Sequence, residues 1–152
     1  MVGDIIVFNQ TLLDLGKAVH DFSTHTFRVG LITSAVTPAV DTADPRWGAG
    51  GTTDFSAQQV PLGTAYAGPV ALASVAFALS GANAVLDCAD VVVDKDEADG
   101  FLSARWGIVY NDSAAGKNAV GFVDLGTDRT NGTGPVQITI NPVGLLAVRR
   151  PA

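Results

Sequence analysis

Apolar and polar positions alternate with a period of two through the last third of the chain. Segments 101–110, 120–125, 136–141 and 144–149 each carry β-branched or aromatic residues at every second position. Between them lie Asn111-Asp112-Ser113, Thr127-Asp128-Arg129 and Thr130-Asn131-Gly132-Thr133-Gly134, residue types that supply positive φ or bond their own backbone in turns. This pattern predicts antiparallel strands, with Trp106, Ile108 and Tyr110 on the core face of a central one. Upstream, Thr26–Thr33 reads as a strand with Phe27, Val29 and Leu31 on one face. Val70–Ser80 reads as another, with Val75, Phe77 and Leu79 together. Gly81-Ala82-Asn83 turns the chain into Ala84–Cys88, and the unbroken run Val91-Val92-Val93 predicts a short strand buried on both faces.

The period changes near the start. Ile5, Phe8, Leu12, Leu15, Val19 and Phe22 recur at spacings of three and four, which predicts an amphipathic helix over residues 5–22. Gly16 in its middle weakens it by about 1 kcal/mol relative to Ala. Residues 34–68 fit neither period. Pro38, Pro45 and Pro61 and the run Trp47-Gly48-Ala49-Gly50-Gly51 predict a long irregular arm. Its large side chains make Arg46, Trp47 and Phe55 the candidate protein-interface residues, the alternative being that Trp47 folds back on its own core. About eight strands with regular turns and no βαβ alternation predict a mainly-β chain. The expected form is a single antiparallel β-sandwich or jelly-roll-like domain over 1–152, with one N-terminal helix.

Composition narrows the function. The chain has 152 residues, enough to bury roughly 70% of its unfolded surface without disulfide or metal. Only 16% of residues are charged, against an average of about 25% for soluble domains. Surface so neutral is often covered by a neighbouring protein. The net charge of −6 and the scattered Lys and Arg argue against direct nucleic-acid binding. No signal peptide and no span of about 20 apolar residues is expected, so neither a membrane nor a lipid surface is a predicted partner.

Little in the sequence suggests catalysis. Cys88 lies in an apolar run and reads as a small buried hydrophobe rather than a nucleophile. His20 and His25 pair with no ligand at metal spacing. The acidic loop Asp94–Gly100 fails the calcium-loop pattern, with Ala98, Asp99 and Arg105 at its fifth, sixth and twelfth positions. Ser113–Asn118 lacks the first glycine and the hydroxyl residue of a phosphate loop. No nucleophile elbow or ordered triad is present. The reading is therefore of a non-enzyme with no catalytic, cofactor or metal residues.

Several segments, in order, resemble structural proteins from the heads of tailed bacteriophages. They are Thr26–Ser34 with Thr37-Pro38, Asp41–Asp44, Tyr66-Ala67-Gly68, Asp87–Val93, Ser103–Asp112, Gly121–Gly126 and Gly144-Leu145-Leu146. The resemblance implies a cement or decoration protein of β-sandwich type that binds the outer face of an icosahedral shell. It implies the major capsid protein as partner, self-association as a dimer or trimer, synthesis in the bacterial cytoplasm and residence on the virion head. Another virion component, of tail or head completion, and a carbohydrate-binding β-sandwich are the alternatives.

Overall fold

Each period-two run contains extended, paired backbone, though several runs are longer than the strand they hold. The computed structural model describes residues 4–149 and contains twelve strands. These are β1 (Ile5–Val7), β2 (Phe27–Ile32), β3 (Pro45–Arg46), β4 (Thr53–Asp54), β5 (Val70–Ala71) and β6 (Ala76–Ser80). They continue with β7 (Asn83–Asp87), β8 (Val91–Val93), β9 (Ala104–Asn111), β10 (Ala119–Arg129), β11 (Val136–Ile138) and β12 (Leu146–Arg149). One helix, α1 (Asn9–Gly16), and a 3-10 turn at Phe55–Gln58 complete the elements. The fold is mainly β with one N-terminal helix, as the pattern predicts.

The central sheet has the order β1-β10-β9-β2-β5, all antiparallel. Its middle strand is β9, so Trp106, Ile108 and Tyr110 sit where the alternation places them. The sheet is buried on both faces. Phe27, Val29, Leu31, Val109, Val123 and Leu125 face a large core closed by the β12-β7-β6 and β11-β8 sheets. Ile32, Trp106, Ile108, Tyr110 and Phe122 face a second core with Phe8, Trp47 and Phe55.

Three expectations need correction. The helix does not span 5–22. Ile5-Ile6-Val7 favours extended backbone and pairs with Gly121–Val123, and α1 runs only from Asn9 to Gly16. Beyond it Ala18 takes a positive φ of 57°, which ends any helical path. The apolar stripe is also misplaced: Thr11 and Asp14 are the buried residues of α1, while Leu12 is 67% exposed. Second, 70–80 is not one strand, because Ser74 at φ 54° breaks it between β5 and β6. Third, Val92 is exposed between buried Val91 and Val93, so β8 is buried on one face only.

The irregular segment 34–68 is present, but it lies flat on the sheet rather than reaching away. Val60 N–H donates to Leu31 O, Thr33 N–H to Gln58 O and Trp47 N–H to Lys117 O. The accessible surface of 7486 Å² is close to the roughly 7,200 Å² expected for a compact chain of 15.6 kDa.

Candidate functional site

Arg46, Trp47 and Phe55, the residues singled out as an interface, do not share an exposed surface. Trp47 stacks on Tyr110 with ring centroids 5.3 Å apart and planes 6° from parallel. Gly30 in β2 makes room for it, since a Cβ there would overlap the indole ring. Phe55, opening the 3-10 turn, is 1% exposed and stacks on Phe8 at 5.9 Å. Both aromatics are thus core residues of this chain, because the second face of the sheet is otherwise uncovered apolar surface. Arg46 alone keeps surface access. Its Nε donates to Asp44 Oδ1 at 2.9 Å, and it lines a shallow pocket of about 730 Å³ with Asp14, Lys17, Asp44 and Asn118.

Beside that pocket lies a buried polar cluster that the sequence reading did not assemble. Asp14 accepts from Gln10 Nε2 at 2.8 Å and Asn118 Nδ2 at 2.9 Å. Asn111 Oδ1 accepts from the backbone of Ser113 and Ala114, which fixes its amide nitrogen toward Val19 O, His20 Nδ1 and His25 Nδ1. An amide nitrogen can only donate, so where it bonds His20 Nδ1 the His20 proton is assigned to Nε2. His20 Nε2 then faces Asp14 Oδ2 at 3.8 Å, too long for a hydrogen bond, and is buried with no partner. Burial pushes the His20 pKa down to about 4, against the opposing pull of Asp14. His20 is neutral in the fold. The cluster joins α1 to the β9–β10 turn, with Thr11 donating to Val120 O at 2.7 Å alongside. The one signal available in sequence is the polar face of α1, where Thr11 and Asp14 lie three residues apart.

The remaining reactive groups are occupied structurally. The Asp96 carboxylate accepts from the backbone of Asp99 and Ala65, and these bonds hold its pKa below the usual carboxylate range. It ties the acidic loop to residues 63–66. Burial pushes the Cys88 thiol up to about 11, with Asp87 and Asp90 adding to the shift, so it stays protonated. Among the described residues, no group of three or more His, Cys, Asp or Glu could hold a metal ion. No described helix is long and apolar enough to cross a membrane.

The surface completes the description. All eleven aromatic residues are buried or half-buried, so none forms an exposed platform. In contrast, ten large aliphatic side chains stand exposed among the described residues, Leu79 and Leu102 each by 82%. No family model, no curated protein and no solved structure matches the chain.

Proposed function

We propose that this protein is a non-enzymatic structural component of a virion, most specifically a cement or decoration protein that binds the outer face of a phage head and bridges major capsid subunits. The observation that carries this reading is the distribution of apolar side chains. Aromatics are withdrawn into two cores while aliphatic residues such as Leu12, Leu62, Leu79, Leu102 and Val143 stand on a surface poor in charge. Such a surface suits protein partners rather than a small substrate. The resemblance to phage head proteins falls on the frame of the fold, since Thr26–Ser34, Ser103–Asp112 and Gly121–Gly126 include all of β2 and β9 and the middle of β10. Many modest interfaces, each of about 1,200–2,000 Å², would act together on a shell through multivalency.

The second virion reading, a tail or head-completion component, shares the same surface and differs in copy number. A carbohydrate-binding role has less support, because stacking on sugars needs exposed aromatic rings. Quantitative mass spectrometry of purified particles tests the proposal. A number of copies comparable with the major capsid protein is expected. A handful of copies favours the tail or completion reading, and absence from particles contradicts both.

A further inference from the structure

We infer that β6 is a docking edge for a second copy of this chain, forming a continuous six-stranded sheet β12-β7-β6-β6-β7-β12 across a two-fold axis at Ala78. The inference is independent of the shell reading. β6 ends its sheet, and among the described residues no backbone hydrogen bond reaches it except from β7. It is the longest of the end strands, and Ala76, Ala78, Leu79 and Ser80 are exposed along it.

The other edges carry the usual protections against pairing. β1 is three residues long and follows Asp4, β5 is two residues long and follows Pro69, and β12 ends on Arg149. β6 has no charge, no proline and no bulge in its five-residue register with β7. It lies inside a run of 32 residues, Phe55–Leu86, that contains no Asp, Glu, Lys or Arg. For two copies each of net charge −6, such a neutral edge is where approach meets least repulsion.

The register itself is self-complementary. The hairpin closes on the Ser80–Asn83 pair around Gly81 and Ala82, so hydrogen-bonded and open pairs alternate from there. Ala76, Ala78 and Ser80 bond to β7, while Phe77 and Leu79 turn their N–H and C=O groups outward. Antiparallel pairing about Ala78 sets Phe77 of each copy opposite Leu79 of the other, giving two reciprocal hydrogen-bonded pairs with the Ala78 pair open between them.

Side chains agree with the backbone. Within one copy, Leu79, Ala84 and Val148 form a row that overhangs the core, with Leu79 82% and Val148 41% exposed. The paired copy would continue that row through its own Phe77, Leu86 and Leu146, the last two buried. Asp87 of the two copies would stand about 20 Å apart, beyond the screening length of about 8 Å at physiological salt.

Sedimentation of the full chain over micromolar concentrations tests this, together with three variants checked for fold by circular dichroism. The wild-type chain is expected to sediment as a dimer. Leu79→Lys and Leu79→Pro alter an exposed side chain and an outward N–H, leave the β7 ladder intact, and should weaken the dimer at least about tenfold. Ala78→Cys should give a covalent dimer on non-reducing gels, since open antiparallel pairs lie about 4.5 Å apart at Cα. Wild type, whose Cys88 is buried, should not. A monomer at all concentrations to about 100 µM overturns the inference. So does a dimer that survives both Leu79 substitutions, or an Ala78→Cys chain that stays uncrosslinked.

Discussion

Trp47 fits its place because β2 carries Gly30, whose missing side chain leaves a slot for the indole over the sheet. The ring then stacks on Tyr110 and is 7% exposed. Burial at this level makes it a stability residue. Trp47→Ala should destabilise the isolated chain by about 3–5 kcal/mol, because truncating a buried Trp loses transfer energy and leaves a cavity. Urea denaturation measures this directly. A change below about 1 kcal/mol would mean that the ring contributes little to the core and is available to a partner after all. Trp106 in β9, 9% exposed and edge-on to Phe122, belongs to the same layer.

At the scale of elements, the fully buried side chains of α1 are polar, with half-buried Leu15 its apolar contact to the large core. Thr11 and Asp14 face inward, and Asp14, Asn118, Asn111 and His20 link the helix to the β9–β10 turn. His20 is neutral in the fold with a pKa near 4, against an ordinary value of 6.5. The unfolded chain therefore takes up a proton before the folded chain does. Stability from this group is complete above pH 6.5 and declines as pH falls from 6.5 through 4, by up to about 3 kcal/mol. Urea midpoints measured between pH 7 and 4.5 should fall for the wild type and stay flatter for His20→Gln. Equal slopes in both would remove His20 from the cause. The strands β2, β9 and β10 were legible because one face of each alternates strictly and pairing followed that alternation. The helix was not, because Ile5, Phe8 and Phe22 belong to different elements whose spacing matches a helical period by coincidence. Proline and glycine mark the segment 34–68 as irregular, but its long-range pairing with Leu31 and Lys117 leaves no local signal. Nor does any local pattern announce that His20 and Asn111, ninety-one residues apart, meet in one cluster.

For the molecule as a whole, a central sheet with a core on each face leaves ten large aliphatic side chains exposed, few charges and no exposed aromatic platform among the described residues. That combination explains why shallow pockets accompany no catalytic constellation among the described residues, and why protein surfaces are the partners proposed. On the proposed function, binding would rest on many contacts of moderate strength rather than one deep site. The most direct test is a near-atomic density map of intact, purified particles from the source of this chain. The account predicts density for this fold on the outer face of the head, repeated with the shell symmetry and touching more than one major capsid subunit. Density for it only at the tail, or inside the shell, or none at all, would contradict the account.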